Sequence, residues 1–427
     1  MARTASKRLA RETDAPEGAK PPVRRGDTAR FDRRKQDVLN AASVLINRVG
    51  LGDTTLALVA AEIGLNLKSL RYYFEKREDL IVAAFLQSVA LHRELVTEAM
   101  AEPRPEQRVR RFVRGYFRML ARVRNGEQPQ FTHFSDLRAL TEPHNQIVYQ
   151  EYNQFFRAVR TLLRPQAPGR DRAEMNARTH MLISQLLWSV AWIDSYLPED
   201  LPRVADRFAD ILLHGLATEQ VDLRPAAAAL QPVSHPPGGL LTQEALLRTA
   251  TALINDLGHR GASVERVSAV LGVSRGAFYH HYEARDALVE ACFDRTFDVL
   301  RRAQSAGMAA GGSGLEKVAS TAVDLVTRQM TAEGFMLRTT ALTVVGPELR
   351  REMKGRMGLA TFRFQDMLSD GAVDGSVRVC DLRIAAEMVT AMVNSAAELG
   401  RWVPGAAPAQ VADLYVRPLL HGLFNQR

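Results

Sequence analysis

Along the first half of the chain, Val38, Ala41, Ala42, Leu45, Ile46 and Val49 fall at the i, i+3, i+4, i+7 spacing of a helix that buries one face. Leu246, Thr249, Ala250, Leu253, Ile254 and Leu257 repeat that pattern 208 positions later. The offset holds through Gly50/Gly258, Val59/Val267, Gly64/Gly272, Phe74/Tyr282 and Leu80/Leu288, so the register is kept over about fifty residues, the mark of a duplicated unit. The far ends repeat as well: Leu212-Leu213-His214-Gly215-Leu216 returns as Leu419-Leu420-His421-Gly422-Leu423 at an offset of 207. No useful length alternates with period two, and no hairpin signals flank β-branched runs, so both units read as all-α. Helix starts are expected at Thr242, Ser263 and Ser274, which can cap, and at the first-turn prolines Pro198 and Pro347.

One local pattern carries chemistry. In the second unit a helix over Val264–Leu271 is expected to end at Gly272, whose lack of a Cβ tolerates the left-handed conformation of a tight turn. Ser274 then caps a short helix running Arg275-Gly276-Ala277-Phe278-Tyr279-His280-His281. In the first unit the same layout reads Gly64-Leu65-Asn66-Leu67-Lys68-Ser69-Leu70-Arg71-Tyr72-Tyr73-Phe74, with Asn66 as the cap. A short helix after a tight turn fits the major groove, where exposed Arg, Lys, Tyr and His reach base edges or phosphates.

The run Gly272-Val273-Ser274-Arg275-Gly276-Ala277-Phe278-Tyr279-His280-His281-Tyr282, followed by Arg285 and Leu288, resembles the TetR-family DNA-binding signature. Thr54-Thr55, Val59-Ala60, Gly64, Leu70, Tyr72-Tyr73-Phe74 and Leu80 follow it in the first unit. The resemblance covers residues 31–90 and 242–298. It implies three DNA-binding helices at the head of each unit, a connecting fourth helix, and a sensor bundle whose last two helices pair with a partner's. By position those pairing helices lie near 170–216 and 381–423. The implied DNA contacts are Thr55, Asn66, Lys68, Ser69, Arg71, Tyr72 and Tyr73 in the first head. In the second they are Ser263, Ser274, Arg275, Gly276, Ala277, Tyr279 and His280. The two reading helices differ at Lys68/Gly276, Ser69/Ala277, Arg71/Tyr279 and Tyr72/His280, so the two half-sites are expected to differ in sequence.

Composition narrows the class further. At 427 residues the chain is too long for one compact core. Its 46% hydrophobic and 24% charged content is that of a folded soluble protein. The net charge is +8, and residues 1–35 hold eleven Lys/Arg against five Asp/Glu, a basic arm suited to phosphates or to solvation. Cys292 and Cys380 stand far apart with no CxxC or Cys/His cluster, which fits a reducing cytoplasm and calls for neither a disulfide framework nor a metal. The most apolar stretch, 181–193, is short and carries Ser and Gln, so no membrane span or export signal is expected.

Two runs invite an enzymatic or a metal reading. Gly272-Val273-Ser274-Arg275-Gly276 matches the GxSxG elbow of hydrolases, but an elbow follows a strand and this run follows a helical pattern. His280-His281 are adjacent, about 100° apart on a helix, with no further ligand beside them. The expected protein is therefore not an enzyme, and no cofactor is implied. Phe131, His133, Phe134, Trp188 and Trp192 in the first bundle, and Phe335 and Met336 in the second, are candidates either for a ligand pocket or for core packing. Trp188 and Trp192, four apart, are expected to share a helical face.

The resulting organisation is a basic disordered arm over 1–30, a first head over 31–80, a first sensor bundle over 81–222, a Pro/Ala/Gly linker over 223–241, a second head over 242–288 and a second bundle over 289–427. The expected partners are double-stranded operator DNA and a small apolar or aromatic effector. The two units are expected to form an intramolecular pseudo-dimer, with a dimer of whole chains as the other arrangement. The expected role is a repressor that the effector releases; the alternative is that one unit reads DNA and the other senses or supports.

Overall fold

The computed structural model describes residues 25–134, 137, 140–164, 171–218, 243–257, 263–272, 274, 285–331, 336–343 and 345–425. Among these residues it is helical, with a single antiparallel bridge, Ala217 to Val377, as its only β pairing. The first half contains α1 (Arg25–Asp53), α2 (Leu56–Glu62), α3 (Leu67–Arg71), α4 (Arg77–Ala99), α5 (Pro105–Arg124), α6 (His144–Leu162), α7 (Arg172–Trp188) and α8 (Leu201–His214). The second contains α9 (Gln243–Leu257), α10 (Val264–Leu271), α11 (Arg285–Ala309), α12 (Gly314–Gln329), α13 (Pro347–Asp374) and α14 (Leu382–Ser395). It closes with α15 (Leu399–Trp402), α16 (Pro408–Val411), a π turn over Ala412–Val416 and α17 (Arg417–His421).

Several starts follow the capping logic of the sequence. Ser263 caps α10 by accepting from the Arg266 N–H, and Pro347 opens α13. Pro198 opens a 3-10 turn, and α8 begins only at Leu201. Thr242 lies outside the described residues. Residues 25–30, expected in the basic arm, belong to α1, and residues 1–24 lie outside the described residues. Phe31 stabilises this extension by packing on Tyr72 and Tyr73, with ring centroids 5.6 and 5.0 Å away. α4 is long and apolar enough to cross a membrane by length and composition. Its apolar side lies inside the protein, where Leu80, Ile81, Phe85, Val89 and Val96 are buried against α1, α5 and α6.

The halves do not each close around a separate core. One continuous core takes in the first head, the first bundle, and α12 and α14–α17 of the second half. A smaller core joins α9 and α10 to α11 and the start of α13. The seam between the halves is densely bonded. Gln185 of α7 donates to the Met388 carbonyl at 2.8 Å, Asn176 to that of Trp402 at 2.8 Å, and Arg178 to that of Leu423 at 2.9 Å. His180 bonds the Ser395 carbonyl at 2.9 Å, and Trp402 stacks on Phe156 at 3.8 Å. Arg207–Asp381 at 2.6 Å and Arg378–Asp210 at 2.7 Å close the edges.

The duplicated Leu-Leu-His-Gly-Leu motif meets itself in this seam. Leu216 and Ala217 donate their N–H groups to the Leu420 carbonyl at 2.8 and 2.9 Å, and the Leu423 N–H returns a bond to Leu212 at 2.9 Å. Both glycines have positive φ, 73° and 94°. A Cβ on Gly215 would lie 2.3 Å from the Leu420 carbonyl oxygen, and one on Gly422 2.3 Å from that of Leu213. The approach therefore requires glycine in both copies.

Candidate nucleic-acid interface and effector pocket

The first head is built by caps and one guanidinium clamp. Thr55 caps α2, accepting from the Leu58 N–H at 3.2 Å, and Asn66 caps α3, accepting from the Ser69 N–H at 2.8 Å. Leu70 and Phe74 are buried beneath α3, and the Lys35 ammonium lies 5.5 Å from the Phe74 ring centroid. Arg77, at the start of α4, donates to the carbonyls of Thr54, at 2.6 Å, and Leu51, holding the α1–α2 turn against the connecting helix. The result is a small rigid platform that turns Lys68, Arg71 and Tyr72 outward, with Tyr72 75% exposed.

Not every implied contact is equally free. Thr55 and Asn66 are exposed, but their side-chain oxygens are engaged in capping. Ser69 is half-buried, and Tyr73 is turned inward onto Phe31. In the second head Ser263 is a cap and Ser274 is exposed, while Gly272 takes the expected left-handed conformation at φ 66°. The residues before Gly272 form helix α10, not the strand of a hydrolase elbow. Arg275, Gly276, Ala277, Tyr279, His280 and His281 lie outside the described residues.

The candidate ligand residues separate into three groups. Phe131, Phe134 and Trp192 are buried in the aromatic core of the first bundle. Phe131 and Phe134 close on the ring of His92 at 5.2 and 5.0 Å, together with Tyr116 and Phe155. His92 Nδ1 bonds the Ser88 carbonyl at 2.7 Å, while its Nε2 has no hydrogen-bond partner among the described residues. Burial lowers the pKa of His92 to about 4, and burial does the same to half-buried His133. Trp192 packs on Phe117 and Phe208.

Trp188 stands apart from this cluster. It ends α7, a 3-10 turn over Ser189–Ala191 follows, and Trp192 is therefore not on the same helical face. The Trp188 indole instead points across the seam to Glu387 at 3.5 Å. Met336 is buried in the second half, and Phe335 lies outside the described residues. A cavity of about 30 Å³ does lie in the second bundle, between α11, α13 and α14, lined by Phe293, Phe297, Leu300, Phe364, Thr390 and Asn394 among others. None of the residues singled out from the sequence borders it.

Two residues that sequence reasoning passed over join head to bundle. Asn47 donates to the Phe131 carbonyl at 2.8 Å and accepts from the His133 N–H at 2.9 Å. Asn255, 208 positions later, donates to the Met336 carbonyl at 2.9 Å and accepts from the Arg338 N–H at 2.9 Å. The identical Leu-Ile-Asn at 45–47 and 253–255 was the available signal. A further link is crossed between the halves: the 3-10 turn Thr339–Thr343 packs on α1, and Arg350 donates to the Arg48 carbonyl at 3.1 Å.

Residues 246–292 match the family model described as bacterial regulatory proteins, tetR family. The tetracycline repressor protein class C of Escherichia coli is 41% identical over 51 residues, 12% of this chain and 23% of that relative. The chain thus matches about a quarter of that curated relative's length. Among solved structures, the TetR-family transcriptional regulator PfmR from Thermus thermophilus is 20% identical, covering 42% of this chain and 99% of that one with a TM-score of 0.37. AibR in complex with isovaleryl coenzyme A and operator DNA is 23% identical, covering 41% of this chain and 96% of that one with a TM-score of 0.35. The match to the tetR-family model and the 51-residue likeness to the tetracycline repressor are both short, and the family-model match lies in the second half of the chain, at residues 246–292.

Proposed function

We propose that this chain is a cytoplasmic, ligand-responsive transcriptional repressor whose two units act as an intramolecular pseudo-dimer on an imperfect palindrome. The observation that carries the reading is the first head, where an Asn66-capped α3 faces solvent with Lys68, Arg71 and Tyr72. The bonded seam between α7–α8 and α14–α17 supports the pseudo-dimer, because it occupies within one chain the helices that the resemblance assigns to pairing. Two such heads must sit about 34 Å apart to enter successive major grooves. An effector that prefers another spacing lowers DNA affinity by its differential binding to the two states.

The cavity in the second bundle is the proposed effector site. Its aromatic and aliphatic walls with Thr390 and Asn394 suit a small apolar molecule carrying one polar group. At about 30 Å³ it holds no more than about a water, so an effector must part the side chains around it. Leu337 and Thr339 are among those side chains. The segment that holds them bonds Asn255 of the second head through Met336 and Arg338 and packs on α1 of the first through the turn Thr339–Thr343, which is how one bound molecule would move both heads.

Nuclease protection on the DNA flanking the gene tests the reading. A single protected stretch with two unlike half-sites is expected, weakened by Lys68→Ala and Arg71→Ala together with a flatter salt dependence. Protection unaffected by that pair leaves the first unit as a sensor or scaffold, the second reading. No protection at any salt would sink the regulator itself.

A further inference from the structure

The outer face of α13 carries an apolar and glycine stripe that no described residue covers. Arg351, Gly355, Gly358, Leu359, Phe362 and Asp366 fall within about 100° of arc on an α-helix. Leu359 is 64% exposed and Phe362 56%. An added Cβ on Gly355 or Gly358 would meet nothing within 4 Å, so neither glycine is required by packing inside the chain, and each weakens the helix relative to alanine. Arg351 and Asp366 are exposed and have no partner among the described residues.

We infer that this face pairs with the same face of a second chain, α13 crossing α13 antiparallel about a two-fold axis that passes between Gly358 and Leu359. In an isologous contact of this kind residue i meets residue j and j meets i. That axis sets Phe362 of each chain against Gly355 of the other, Leu359 against Gly358, and Arg351 against Asp366. A large apolar knob then fills each glycine gap, and opposite charges close both ends. The complementarity within one short segment selects a second copy of this chain over an unrelated partner.

The inference is separate from the pseudo-dimer, which uses α7, α8 and α14–α17, and it leaves that seam untouched. The assembly would hold four heads in two pseudo-dimers. A single pair of helices lies at the small end of protein interfaces, below about 1,200 Å², so the association is weak and reversible.

Sedimentation equilibrium of the full chain across roughly 1–100 μM, a span that brackets micromolar affinity, tests it. The mass is expected to rise from the 47.4 kDa of one chain towards twice that value. Phe362→Glu, and independently Gly355→Gln, should hold the protein at one chain mass with unchanged circular dichroism, since both positions face solvent. Arg351→Asp alone should weaken pairing about tenfold, and adding Asp366→Arg in the same chain should restore it. A single-chain mass at every concentration overturns the inference, and so does a dimer indifferent to Phe362→Glu. Because the footprint of one pseudo-dimer does not need α13, DNA protection without self-association defeats this inference alone, whereas self-association without protection defeats only the regulator reading.

Discussion

The interiors of the two halves of the chain are filled differently. The first packs Phe112, Tyr116, Phe117, Phe131, Phe134, Phe155, Trp192 and Phe208 into its interior, with His92 enclosed among them. The second has fewer large rings and more Ala, Val, Met and Thr, including buried Ala319, Ala322, Val323, Met353, Thr361 and Thr390. The small cavity of this half lies among Phe293, Phe297 and Phe364, with Thr390 and Asn394 at its polar side. Halves that share sequence motifs can differ in packing, with a ring-rich interior acting as a brace in the first and a cavity leaving the second deformable.

The largest expected effect tests whether the first bundle is such a brace. Phe131→Ala removes a buried ring, and about 3–5 kcal/mol of unfolding free energy should be lost in denaturant titration. A loss under about 1 kcal/mol would mean the aromatic interior is loosely packed and open to a ligand. Acid provides the next test. His92 is neutral in the fold with its pKa near 4 and regains an ordinary value near 6.5 when unfolded, so the unfolded chain binds more protons between those values. Stability is then complete above about pH 6.5 and declines as pH falls towards 4, by roughly 3 kcal/mol for this group. His92→Leu should flatten this slope; a slope unchanged in the variant would assign it to other groups.

Smaller effects separate the couplings. Asn255→Ala removes the buried bonds to the Met336 carbonyl and from the Arg338 N–H and should cost about 1–3 kcal/mol. Its sharper consequence is on regulation: effector and DNA binding should become independent, and calorimetry that found the coupling intact would remove Asn255 from the path. Thr339→Met, which adds volume at the cavity, should cost about 1–3 kcal/mol of stability while abolishing the effector response. An unchanged response would move the effector site elsewhere.

Much of this was legible in the residues. Helical periodicity placed α1, α9 and the heads, and capping chemistry placed α2, α3 and α10, because Thr55, Asn66 and Ser263 act on backbone groups within three residues. The identities of the pocket residues were not legible. Phe131 and Trp192 look alike as candidates for lining or for filling, and Trp188 departs from its expected face because nothing local announces that α7 gives way to a 3-10 turn.

The sequence by itself determined the all-α class, the repeated motifs, and the caps and basic, aromatic character of the first short helix α3, all of which rest on interactions between near neighbours or on a pattern visible to the eye. The tertiary structure alone decided that Leu-Leu-His-Gly-Leu packs against its own copy, that Asn47 and Asn255 bind loops some eighty residues away, and that a small apolar cavity forms among Phe293, Phe364 and Asn394. Those depend on which side chains meet across helices, and volume complementarity between distant segments leaves no periodic trace in the chain.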